Sequence, residues 1–135
     1  MSLAIAGDVK AGVDVLRLFS PGNHTGDPVH SEVIDTANYV GTGLIVISSG
    51  ALSALTVTIQ EDTASNGATA TTVSTAEEPD GSTLAVVDGD DDTVLTLRVN
   101  MAKTKRYLVV DLSGQTGAAN LSAVLIATKA HDITV

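Results

Sequence analysis

Apolar and polar residues alternate with a period of two through most of this chain, which is the pattern of strands that bury one face. Leu55, Val57 and Ile59 alternate with Thr56, Thr58 and Gln60. Leu95, Leu97, Val99 and Met101 alternate with Thr96, Arg98 and Asn100, and Leu108, Val110 and Leu112 with Tyr107, Val109 and Asp111. Two runs are apolar on both faces and read as interior strands. One is Leu44 to Ile47. In the other, Leu121, Ala123, Leu125 and Ala127 form one row, and Val124 and Ile126 belong to the opposite one.

The segments between these runs predict how the strands connect. Ser48 to Ser53 reads as the turn of a hairpin that joins residues 44–47 to residues 55–59. Residues 103–129 read as a second hairpin at the centre of the core, closed by a Gly/Asn-rich connection. Asn66-Gly67 supplies a dipeptide that accepts positive φ in a tight turn. Residues 29–35 predict a weak exposed strand, Val73 starts another and residues 83–87 form a short one. Between Ala11 and Phe19 the alternation breaks near Val15 and Leu16, which predicts a bulged strand first and a short helix second. About eight strands at short spacing, with no useful helical period, predict an all-β fold: an antiparallel β-sandwich or jelly roll. Leu55, Val57, Ile59, Leu95, Leu97, Leu108, Val110, Leu112 and Leu125 are the predicted shared core.

A chain of 135 residues fits one domain. Residues 1–12 read as an N-terminal arm or an edge strand, and residues 13–135 as a single sandwich domain. Cysteine is absent, and Phe19, Tyr39 and Tyr107 are the only aromatics, so Val, Leu, Ile and Ala must fill the core. The formal net charge of −9 disfavours nucleic acid as a partner. The longest apolar run, residues 123–127, is far short of the ~20 residues that a membrane span needs. The N-terminal residues lack a basic start, and Asp8 interrupts their apolar patch, so no secretion signal is expected here.

Candidate chemistry is sparse. Asp88, Asp90, Asp91 and Asp92 crowd one turn and offer hard oxygen donors to a cation such as Ca²⁺. Their spacing does not match an EF-hand, since counting from Asp88 puts Gly89 second and Val99 twelfth, and a solvated acidic turn is the plainer reading. His24, His30 and His131 are scattered without zinc spacing. No nucleophile elbow surrounds any serine, and no phosphate-cradling loop is present. The expectation is a non-enzymatic protein with no cofactor. Lys103, Lys105 and Arg106 concentrate positive charge just before a core strand, either to dock an acidic surface or to pair with nearby carboxylates at a charged strand entrance.

The order of elements from residue 41 to 128, with TVTIQED and TKRYLVV as its most specific pieces, resembles the small β-structured virion proteins of tailed bacteriophages. Several of these are capsid decoration, or cement, proteins. The resemblance implies a sandwich or jelly-roll body that self-associates, as a trimer in preference to a dimer, and binds the major capsid protein lattice in many copies. It also implies a place on the capsid surface of the virion after synthesis in the host cytoplasm. Partner-binding candidates are then Leu3, Ile5 and Val9 in the arm, and Lys103, Lys105 and Arg106 in the body. The competing expectation is an adhesion or carbohydrate-binding sandwich on a tail or cell surface. A chain without Trp is poorly equipped for sugar.

Overall fold

In a computed structural model the described residues are 12–25, 28–73, 83–86, 92–115 and 117–130. The alternating segments become ten strands: β1 (Val13–Asn23), β2 (Val29–His30), β3 (Ile34–Asp35), β4 (Tyr39–Leu52), β5 (Leu55–Asp62), β6 (Thr71–Thr72), β7 (Thr83–Val86), β8 (Val94–Asn100), β9 (Tyr107–Ser113) and β10 (Ala119–Lys129). A first sheet has the order β1-β10-β4-β8, and a second has β2-β9-β5-β6, with β3 also on β9 and β7 also on β5. All pairings are antiparallel. Because β2 and β3 follow one another along β9, and β6 and β7 along β5, the ten strands fill eight positions. Their order is that of a jelly roll.

This topology corrects both predicted hairpins. β4 lies in the first sheet and β5 in the second, and β9 and β10 are divided in the same way. Alternation specifies which face of a strand is buried, not which strand lies beside it. Two apolar rows that face one core from opposite sides leave the same sequence pattern as two rows on a hairpin. Residues 48–52, read as a turn, instead complete the long β4. The chain then arches to the other sheet at Ser53, whose N–H donates to the carbonyl of Ala118 at 2.7 Å. Ala118 belongs to the arch between β9 and β10, so the two crossings brace each other.

The bulged strand is present. β1 pairs with β10 from Val13↔Thr128 onward, with register shifts between Arg17 and Phe19 and between Phe19 and Gly22. The shifts accommodate Phe19, which is buried opposite Ala123, itself opposite Ile47. Large residues thus meet small ones across the layer, as close packing of a core requires. All predicted core residues are buried except Leu95, which is half-buried and packs against the others.

One loop shapes the outside of the second sheet. Asp62, at the end of β5, is 2 % exposed. Its carboxylate accepts from the N–H of Ala64 (2.9 Å), the N–H of Thr69 (2.9 Å) and the hydroxyl of Thr69 (2.8 Å), which holds residues 63–70 in place. Gly67 has φ of +66°, and a Cβ there would stand 2.9 Å from Cγ2 of Val109. The loop therefore rests on Val109, on the outward side of β9, and Val109 is buried although it faces away from the core.

Candidate interaction surface

In β10 the side chains of Leu121, Ala123, Leu125 and Ala127 point into the core, so those of Ser122, Val124, Ile126 and Thr128 point outward. Register carries this row across the first sheet. Val15, Ile126, Leu44 and Arg98 are cross-strand neighbours on β1, β10, β4 and β8, and in the next row so are Arg17, Val124, Val46 and Thr96. Val13 lies beside Thr128 at one end. The centre of this outer face is aliphatic: Val15, Leu44, Val46, Val124 and Ile126, with Val15 63 % exposed. Its charged residues, Arg17 and Arg98, sit on opposite edge strands and are both cationic. A contiguous apolar patch with a polar rim is the kind of surface that commonly takes part in interaction with another molecule.

Towards the far end the same face turns polar. Pro21, Gly22, Ser48, Ser49, Gly50, Asn120, Leu121 and Ser122 line an open cleft of about 230 Å³. No aromatic residue lines it, so it offers no stacking platform for a sugar ring.

The basic cluster lies on the crossing from β8 to β9. The guanidinium of Arg106 donates through Nε and Nη2 to the two carboxylate oxygens of Asp35, both at 2.9 Å, and its Cζ lies 5.2 Å from the centre of the Tyr107 ring. This fork, followed by the N–H of Ala37, lowers the Asp35 pKa to about 2, and the pairing raises that of Arg106. Arg106 thus behaves as the charged entrance to a strand. The backbone N–H of Lys105 donates to Glu61 at 2.9 Å, while the side chains of Lys103 and Lys105 are exposed.

Leu3, Ile5, Val9, Asp88 and Asp90 lie outside the described residues. Asp92 is exposed, with φ of +57°, and its N–H donates to the carbonyl of Gly50 at 3.4 Å. Among the described residues, no three His, Asp or Glu side chains converge as a metal site would need. The sequence reading missed a contact between His30 Nδ1 and Asp111 Oδ1 at 3.0 Å, next to the buried Ser31. The Ser31 hydroxyl donates to the carbonyl of Glu32 and accepts from the N–H of Val110, each at 2.8 Å, so it ties a loop to β9 and is not presented as a nucleophile. His30 and Asp111 stand on separate strands 81 positions apart in sequence, and only the pairing of β2 with β9 brings them together.

The outer apolar face was partly legible, since residues 44–47 and 121–127 are apolar in both rows. A strand that is central within its sheet was read there as covered on both sides. The described chain covers only one of them.

No protein-family model matches the chain, and no curated protein matches it in sequence. Solved structures share its fold. The SPBc2 prophage-derived protein YomS is similar over 84 % of this chain and 94 % of its own, at 10 % identity and a TM-score of 0.54. A subunit of the disulfide-linked pili that form Bacillus endospore appendages is similar over 87 % of this chain and 88 % of its own, at 11 % identity and a TM-score of 0.52. The Tobacco streak virus coat protein reaches a TM-score of 0.40 at 10 % identity over 92 % of this chain and 94 % of its own, too distant to bear on the argument. At these identities the likeness is one of fold: this chain is a two-sheet sandwich similar to a prophage-derived protein and to a pilus subunit.

Proposed function

We propose that the protein is a structural, non-enzymatic component of a virion, a decoration or cement protein that binds the major capsid protein lattice of a tailed phage and stabilises the head. The observation that carries this reading is the aliphatic outer face of the first sheet, built from Val15, Leu44, Val46, Val124 and Ile126. The fold shared with a prophage-derived protein supports it, and so does the sequence resemblance over residues 41–128. A cement protein needs a rigid body with a contact face and works through many weak contacts made at once. Self-association belongs to the same reading, with a trimer preferred over a dimer on the strength of the resemblance. The likeness in fold to a subunit of a pilus supports self-association; since this chain has no cysteine, its own contacts would not be disulfide-linked.

Residues 1–11, with Leu3, Ile5 and Val9, are proposed to extend the contact, and Lys103 and Lys105 to steer it towards an acidic surface. The test is co-sedimentation with expanded capsids of the phage that carries the protein. Val46→Asp is expected to abolish binding while the protein stays folded, and removal of residues 1–11 to weaken it. Undiminished binding by Val46→Asp would remove the face from the mechanism. Loss of binding on charge reversal at Lys103 and Lys105, reversed by no change on the face, would move the contact to the basic crossing.

A further inference from the structure

The edges of the two sheets are treated differently. On the second sheet, β2, β3 and β6 have two residues each and β7 has four. On the first, β1 carries Pro21 and two register shifts, and Glu32 lies along it, its N–H donating to the carbonyl of Leu18 at 3.4 Å and its carboxylate pairing with Arg17 at 2.6 Å. Short strands, proline, bulges and charges are the usual ways to blunt an edge. Of these, β8 has only a charge, Arg98, and neither shortness, proline nor a bulge. It runs seven residues without a register shift against β4, from Ser48↔Val94 to Thr42↔Asn100, and Val94 on it is 65 % exposed. Among the described residues, no strand pairs with its outer side.

The direction of its hydrogen bonds follows from two flanking contacts. The carbonyl of Thr93 accepts from Ser49 N–H at 3.0 Å, and Met101 N–H donates to the carbonyl of Gly41 at 2.9 Å. Both belong to the same register as Leu97↔Ile45. Odd-numbered residues of β8 therefore turn their backbone groups to β4, and Val94, Thr96, Arg98 and Asn100 turn theirs to the outer edge.

We propose that β8 is a self-association edge, and that a second copy of this chain pairs its own β8 antiparallel to it about a two-fold axis at Leu97. This register overlaps all seven residues, and its hydrogen-bonded pairs fall on residues whose backbone groups face outward: Thr96 with Arg98 of the second copy, and Val94 with Asn100, whose carbonyl also accepts from Lys103 N–H at 3.1 Å. Arg98 then faces a threonine on either side of the axis and never itself, which avoids the like-charge penalty of a cross-strand pair. On the core side, Leu95 meets Val99 of the second copy and Leu97 meets Leu97, in the closer spacing of non-hydrogen-bonded pairs. The strand thus matches itself in side-chain type, and no two charges stand directly opposite, the two Arg98 side chains lying diagonally across the axis. The product is one eight-stranded sheet, β1-β10-β4-β8 continued in reverse order, with the two aliphatic outer faces side by side. The contact closes at two copies, so a trimer would have to use another surface. It does not depend on what the aliphatic face binds.

A single seven-residue strand pairing buries less than the ~1,000 Å² of a tight interface, so association in the micromolar to sub-millimolar range is expected. Light scattering on the full chain should give a mass that rises with concentration from 13.7 kDa to about twice that value. Thr96→Pro removes an N–H that points away from β4, so the fold survives while association weakens by about tenfold or more. Thr96→Lys leaves the backbone intact and sets a cation opposite Arg98 of the second copy, and it should weaken association in a salt-sensitive way. Should the proline variant fail to fold, the lysine variant gives the answer. A parent that stays at 13.7 kDa throughout, or association unchanged in the folded variants, overturns the proposal. So does a chain without residues 1–11 that becomes monomeric while Thr96→Lys still associates, because the contact would then belong to the arm.

Discussion

The two sheets share one core, yet their outer faces have opposite character. The first sheet turns Val15, Leu44, Val46, Val124 and Ile126 outward, with no segment of the described chain over them. The second turns Thr56, Thr58 and Gln60 outward, and its apolar outward residue Val109 is roofed by the loop that Asp62 holds down. Where this chain has a cover for an outward apolar residue, it builds it from an Asp-anchored loop. Where it has none, the aliphatic rows stay uncovered by the described chain, and the proposed contact uses them. On that proposal, the distinction separates apolar residues that stabilise the monomer from those that serve assembly.

The largest test contrasts the core row with the outer face. Val110→Asp would place a carboxylate among residues buried from both sheets and should cost about 4 kcal/mol or more, among the largest effects of single substitutions. Val124→Asp, one layer away on the outside of the first sheet, should change stability by less than about 1 kcal/mol and act on association instead. Urea unfolding of both variants measures the contrast. Equal losses would mean that Val124 is covered and that the two outer faces do not differ.

Asp62→Ala should come next in size. It removes three acceptor contacts and frees residues 63–70 from Val109, which lowers the melting temperature by a few degrees. Hydrogen exchange should rise at the amides of Ala64 and Thr69 and along β9, but not along β10. Faster exchange in β10 as well would show that the loop supports the whole sandwich and not the second sheet alone.

Much of this fold was readable from period-two alternation, because burial of one face is a local property of a strand. The buried rows on β5, β8, β9 and β10 appear as predicted, and β1 is a bulged strand, although its register shifts fall at 17–19 and 19–22 and not at Val15 and Leu16, where the alternation breaks. Strand partners were not readable. Ser53-Ala54 separates β4 from β5 by two residues, as a hairpin loop would, yet the chain crosses between sheets there. The outer face was visible only as residues apolar in both rows, since one strand cannot show whether its second face is covered. The fork between Asp35 and Arg106, 71 positions apart, had no sequence signal beyond the charge of the cluster.

The smallest test is pH, and it should act on the two sheets from opposite ends of the scale. The Asp35 pKa is lowered to about 2, first by the Arg106 guanidinium and then by the Ala37 N–H. That of Asp62 is also lowered, by the Ala64 N–H first, against an opposing effect of burial, and then by Thr69. A carboxylate whose pKa falls on folding adds stability above its unfolded value, near 3.9, and that stability is lost as pH drops through the folded value. Both groups hold segments to the second sheet, so its margins should loosen as pH falls below about 4, the Asp35 part between about pH 4 and pH 2. Tyr39 behaves in the opposite sense. Burial first, and then its hydrogen bond to Asp14 at 2.8 Å, raise its pKa from 10.0 to about 12. Stability from a group whose pKa rises on folding is present below the unfolded value and lost as pH climbs through the folded one. Tyr39 on β4 reaches Asp14 on β1 across β10, so the end of the first sheet should loosen between about pH 10 and pH 12. Amide exchange mapped by strand after brief acid and alkaline pulses reads both arms. Added salt should shrink the part of the acid arm that comes from Asp35 and Arg106, because that pair is exposed and screened, and leave the Asp62 part nearly unchanged. Acid loosening that begins in β1 and β4 would break the assignment of these groups to separate sheets.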